Sequence, residues 1–273
     1  MANPVLNDKT FGEAVTRDGA AWSPPPADAG WQPPIDDGPI SPWQTGTADR
    51  MTVRGTIFAA VVLFALLLVS ASFGWAAVKS PAPGEPVEFP AIALLGIVIG
   101  FVAVLAATFK PKLARILGPV YALAQGYVVG AISKVYESEW DGIVLQAIGA
   151  TLGVFLVMLV LYQTRIIKVT DRMRRVVIMA TLGVMLFYLV SFILNLFTDV
   201  SFLQSNSLLS IGFSILVAGL AAFNLTLDFD FIERGARANV PKHMEWLAAL
   251  GLLVTLVWLY LEILRLLGKV RSR

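Results

Sequence analysis

The 273-residue sequence contains no cysteine, which excludes disulfides, thiolate metal centres and cysteine nucleophiles. Its single histidine, His243, cannot build a multi-histidine zinc or iron site. Neither GxGxxG nor GxxxxGK[ST] occurs, so the common nucleotide-binding loops are missing. Charged residues make up only 15% of the chain and the net charge is +2, so no nucleic-acid partner is expected. No serine–histidine arrangement surrounds His243, and the acidic residues resemble no intramembrane protease pair. An enzyme is therefore not the expectation, and no cofactor is implied.

What the chain has instead is apolar length. Hydrophobic residues account for 57% of it, and the mean hydropathy is +0.73. Charge-free runs of 18 or more residues recur, each long enough to cross a bilayer core. The pattern predicts seven helices: Gly55 to Val78, Phe89 to Phe109, Leu113 to Tyr136, Gly142 to Gln163, Val176 to Phe197, Leu208 to Phe231 and Met244 to Leu267. Pro81-Ala-Pro83-Gly-Glu-Pro86 breaks the chain after the first run, and Lys110-Pro111-Lys112 after the second. The expected fold class is all-α, a polytopic membrane helical bundle over residues 51–273 in contact with the lipid bilayer.

Residues 1–50 differ in kind. They carry about half of the 15 prolines, including Pro24-Pro25-Pro26 and Pro33-Pro34, together with Asp28, Asp36, Asp37 and Asp49. Prolines remove backbone donors, and the few apolar residues follow no helical period, so a disordered N-terminal tail is expected. Trp22, Trp31 and Trp43 offer the tail contacts to a partner or to headgroups. The tail is too long and too acidic for the start of a signal peptide.

Lysine and arginine in the short links set the orientation. Arg50 and Arg54 precede the first run, and Lys110, Lys112 and Arg115 lie between the second and third. Arg165, Lys168, Arg172, Arg174 and Arg175 link the fourth to the fifth; Arg234, Arg237 and Lys242 link the sixth to the seventh. The alternate links are nearly free of them, which places the N-terminus in the cytoplasm. Arg265, Lys269, Arg271 and Arg273 oppose this bias if the last helix crosses fully. A full crossing is expected, since upstream charges usually dominate, and a re-entrant last segment is the alternative. Small-residue pairs at Gly96/Gly100, Gly126/Gly130 and Gly149/Gly153 point to close helix packing across the second, third and fourth runs.

Charges inside these runs are few and costly, so each is a candidate site. Asp228 and Asp230 are about 200° apart on a helix and cannot share a face. Asp228 lies four residues after Asn224, on one stripe with it. Both aspartates also suit the end of a helix. Glu262 stands well inside the last run, three residues before Arg265, where an intrahelical pair is the simpler account. Gln125 and Gln146 suit interhelical hydrogen bonds, and Glu245 suits the first turn of a helix dipole. Lys134, Glu137, Glu139 and Asp141 read as an interfacial charge cluster.

Three stretches resemble a known family. Tyr121-Ala-Leu-Ala-Gln-Gly126-Tyr-Val-Val-Gly-Ala-Ile-Ser133 is similar to its third helix, and Leu227-Asp228-Phe229-Asp230-Phe-Ile-Glu233 to the segment closing its sixth. Tyr260-Leu-Glu-Ile-Leu264-Arg265-Leu-Leu267 is similar to its leucine-rich last helix. The family is the Bax inhibitor-1/YccA family, also called the transmembrane Bax inhibitor motif family. The Asn3-Pro4-Val5-Leu6 start and proline-rich tail resemble its actinobacterial branch, which implies a bacterial cytoplasmic membrane. The resemblance implies a central last helix wrapped by six others and a pH-sensitive calcium leak closed by two carboxylates. Asp228 matches the first of these. Thr255 stands where the second is expected, with Glu262 seven residues further on nearly the same face, and Gln125 stands where many relatives have glutamate. Two close carboxylates share a proton, and calcium competes for their oxygens. The expected ion pathway is thus Asp228, Asp230, Asn224, Thr255 and Glu262, with Asp228 as the calcium ligand. The competing expectation is a non-conducting membrane protein that binds and regulates other membrane proteins.

Overall fold

The computed structural model describes residues 50–79, 90–197 and 207–273. The expectations for the tail and for the links at 80–89 and 198–206 lie outside them. Seven helices are long and apolar enough to cross a membrane: α1 (Val53–Ala77), α2 (Ala91–Phe109), α3 (Ala114–Glu139), α4 (Ile143–Gln163), α5 (Asp171–Phe197), α6 (Leu208–Arg237) and α7 (Met244–Arg271). Their ends follow local chemistry. Thr52 and Ser207 cap α1 and α6 by accepting the Gly55 and Ser210 amides. Pro90, which has no amide hydrogen to leave unpaired, occupies the N-cap of α2. A single 3-10 turn, Pro111–Leu113, carries the chain from α2 into α3.

The expected centre of the bundle is present. In α7, 61% of the most apolar stretch is buried, against 11% in α5. It packs on α1, α2, α3, α4 and α6, and reaches α5 through Tyr188. Its 28 residues form one unbroken helix, about 42 Å long at 1.5 Å per residue. It contains no turn of the kind a re-entrant segment needs. Helices α5, α6 and α7 are longer than the apolar runs predicted, because Asp171–Arg175, Glu233–Arg237 and Gly268–Arg271 continue the helical hydrogen bonding beyond the hydrophobic stretch.

Hydrocarbon gives helices no hydrophobic reason to associate, so backbone approach takes over. Helices α1 and α3 run parallel and touch along their length. A Cβ at Gly130 would collide with the Ala71 carbonyl, one at Gly126 with the Leu67 carbonyl, and one at Gly74 with the Tyr127 carbonyl. The Ser70 hydroxyl donates to Leu123 O at 2.5 Å across the same seam. Gly96 and Gly100 of α2 also lie close to α3, against Val128 and Ala124 and against the Gln125 side chain. The glycine pair of α4 behaves differently. Gly149 and Gly153 have nothing within 4 Å of an added Cβ, so the tight unit is α1–α2–α3 and excludes α4. Spacing alone shows that a small-residue stripe exists, not which way it faces.

Gly130→Ala should therefore cost about 1–3 kcal/mol of stability, the usual penalty for overpacking. Gly149→Ala and Gly153→Ala should be neutral or slightly stabilising, because alanine is the better helix former. Thermal unfolding in detergent compares the three.

Candidate functional site

The sixth and seventh helices run antiparallel side by side, and each presents polar residues along the seam. Asp228 is partly exposed as a residue, yet its Oδ2 is buried. Among the described residues, Oδ2 is the buried side-chain oxygen or nitrogen without a hydrogen-bond partner. The other oxygen, Oδ1, faces Gly251, one turn before Thr255 on α7. Thr255, itself buried, lies beside the Asp228 carboxyl. Its hydroxyl donates to Gly251 O at 3.1 Å. With that proton on the Gly251 carbonyl, the Thr255 hydroxyl leaves the carboxyl under-satisfied. The structure thus brings together Asp228 and Thr255.

Asn224 turns away from them. Its amide donates to Thr181 Oγ1 of α5 and to Leu220 O, both at 2.9 Å. Asp230, on the other side of α6 from Asp228, pairs with Arg174 of α5 at 2.9 Å and with Arg234 one turn on. Glu233 takes Arg165 at 2.9 Å, together with Arg237 and the Tyr162 hydroxyl of α4. These two carboxylates tie α4, α5 and α6 at the end of the bundle that carries the basic links. Neither shares the Asp228 site.

Glu262 lies seven residues beyond Thr255, about 10 Å along α7. It is 1% exposed and fully occupied. Arg265 Nη1 donates to both carboxylate oxygens at 3.0 and 3.1 Å, and the Tyr188 hydroxyl of α5 donates to Oε1 at 2.7 Å. The Arg265 guanidinium also donates to that hydroxyl and lies over the Tyr188 ring. One turn further on, the buried Lys269 ammonium is held by Ser210 Oγ and Ser214 Oγ at 2.8 Å and Ser210 O at 3.3 Å. Leu225, Ala221 and Leu259 are fully buried between this polar group and Asp228. The two polar stations are therefore separated by a dry layer.

Sequence reasoning identified Thr255 and the Glu262–Arg265 spacing but missed Tyr188, Lys269 and a clamp at the basic end. There the buried Glu245 carboxylate accepts the Thr52 amide and hydroxyl, both at 2.9 Å. Met51 N donates to Val240 O at 2.8 Å, so the start of α1 is stitched to the α6–α7 link. Helical spacing relates Lys269 to Glu262, seven residues apart on one face, and could have flagged it. Nothing local connects Thr52 with Glu245, 193 residues away. Gln125 packs across α2 as an interhelical group, whereas Gln146 is exposed. Lys134 stacks over Trp75, and Glu137 caps α4 through the Gly142 and Val144 amides.

Removing one partner of a buried pair strands the other charge. Arg265→Leu should therefore destabilise the protein by about 3–5 kcal/mol. Glu262→Leu combined with Arg265→Leu should recover most of that loss. Thermal melts of the single and double variants in one detergent check both expectations.

Comparison with known proteins agrees with this architecture. A family model described as Bax inhibitor 1 like matches residues 3–272, nearly the whole chain. No curated protein matches the sequence. The match covers every described helix, including α6 and α7 with Asp228, Thr255 and Glu262, and the chain belongs to the Bax inhibitor-1 family.

Proposed function

We propose that this protein is a pH-sensitive cation leak, with calcium as its cargo and Asp228 as its gate. The observation that carries the reading is the buried Asp228 Oδ2, left without a donor beside α7. An unsatisfied carboxylate oxygen inside a helical bundle is costly, and a proton or a cation removes that cost. The orientation that goes with this reading puts the basic links in the cytoplasm of a bacterium, so Asp228 lies toward the cytoplasmic side. The dry layer of Leu225, Ala221 and Leu259 then represents the closed state.

The donor set sets limits on how a cation binds. Calcium takes six to eight oxygens, with several carboxylates in a tight site. Among the described residues, no group of three or more histidine, aspartate or glutamate side chains could hold a metal ion. Thr255 supplies a neutral hydroxyl where a second carboxylate would supply charge. Calcium passing Asp228 therefore meets one carboxylate and binds weakly, as a transported ion should. His243, outside the spans, is pushed below its ordinary range by burial and secondarily by Lys112. It makes a poor sensor near neutral pH.

A second reading, a non-conducting regulator of other membrane proteins, is favoured by the full satisfaction of Asp230, Glu233 and Glu262. Those three carboxylates act as struts under either reading, so the discrimination falls on Asp228. Calcium flux into proteoliposomes of the pure protein, followed across roughly pH 5–8, separates the two. Asp228→Asn keeps the shape and removes the titration, and should flatten the pH dependence. Asp230→Asn should leave it largely intact. A parent protein without flux, or an Asp228→Asn variant with the parent's profile, would transfer the assignment to the regulator reading.

A further inference from the structure

Helix α5 is the loosest element of the bundle, and its face toward α6 borders an open groove of about 470 Å³. The groove is walled by Ala180, Gly183, Val184 and Phe187 on one side and by Phe213, Gly219 and Phe223 on the other. Its lining is almost wholly apolar. Gly183 and Gly219 leave it open, since nothing lies within 4 Å of a Cβ added to either.

The basic end of the groove has the opposite character. At that end Arg174 of α5 and Arg234 of α6 share the single Asp230 carboxylate. Two guanidiniums on one carboxylate leave positive charge unmatched beside the N-terminus of α5, which itself favours an anion. From Arg174 to the groove residues Ala180 and Phe187 the helix rises about 9 and 20 Å. That range brackets the depth of one leaflet, half of a hydrocarbon core about 30 Å thick.

We propose that the α5–α6 groove seats an acyl chain of an anionic phospholipid whose phosphate rests on Arg174 and Arg234. The shape calls for a flexible apolar chain, and the excess positive charge at its end selects the headgroup. A second copy of this chain fits less well, because its own basic end would meet the same cluster in a parallel pair. The site makes no use of Asp228, and its test is independent of any flux.

Native mass spectrometry of the full-length protein with equal phosphatidylglycerol and phosphatidylcholine provides the readout. The parent should retain phosphatidylglycerol preferentially. Gly183→Leu combined with Gly219→Leu fills the groove with better helix formers and should release the bound lipid while the melting temperature holds. Arg174→Gln combined with Arg234→Gln should keep lipid binding and reduce the headgroup preference about tenfold. Equal retention of both lipids by the parent would overturn the proposal, as would a filled groove that still holds phosphatidylglycerol. A parent dimer abolished by the leucines would also overturn it, assigning the face to a second copy.

Discussion

A polar side chain inside hydrocarbon has to be satisfied by the protein itself, because no water is there to do it. Most of this architecture can be read as a response to that constraint along α7. Glu245 is met by Thr52, Tyr260 by Ser133, Glu262 by Arg265 and Tyr188, and Lys269 by Ser210 and Ser214. Each pairing draws another helix onto α7: α1, α3, α5 and α6 in turn. The central position of the last helix is thus as much a matter of polar bookkeeping as of apolar packing. Among the described residues, Asp228 Oδ2 is where the constraint is not met.

Two kinds of cohesion divide the bundle. On the α1–α2–α3 side, glycines let backbones approach, and the seam is dry and close. On the α5 side, contact is sparser: Val177 and Val184 pack on Val217 and Leu220, and polar links run from Tyr188 to Glu262, Thr181 to Asn224 and Arg174 to Asp230. Polar interhelical contacts in membranes are individually modest, on the order of 1 kcal/mol. A helix held by a small apolar patch and three such contacts moves more readily than one interlocked at every turn.

The seven spans were legible because apolar length leaves few alternatives, and the family was legible in the stretches around Gly126, Asp228 and Glu262. Thr255 opposite Asp228 followed from the family resemblance, which sets Thr255 where the second carboxylate is expected. Direction was harder. The Gly149/Gly153 pair has the same spacing as Gly126/Gly130, yet one faces open space and the other a backbone. Asn224 shares a stripe with Asp228, but its amide finds Thr181. Rotation about a helix axis is set by neighbours, and a single sequence does not name them. Thr52 and Glu245 illustrate the limit: an N-cap and a first-turn carboxylate are each readable, but their meeting is a tertiary event.

The central claim is that Asp228 and Thr255 face each other across α6 and α7 as the two halves of a cation site, one half neutral. Thr255→Asp would complete it, and calcium-dependent thermal stabilisation reads the result directly. Ligand binding to the folded state at a hundred times Kd adds about 2.7 kcal/mol. The account predicts little calcium stabilisation in the parent, a clear gain in Thr255→Asp, and loss of that gain when Asp228→Asn is added. No gain in Thr255→Asp, or a gain that survives without Asp228, would contradict it.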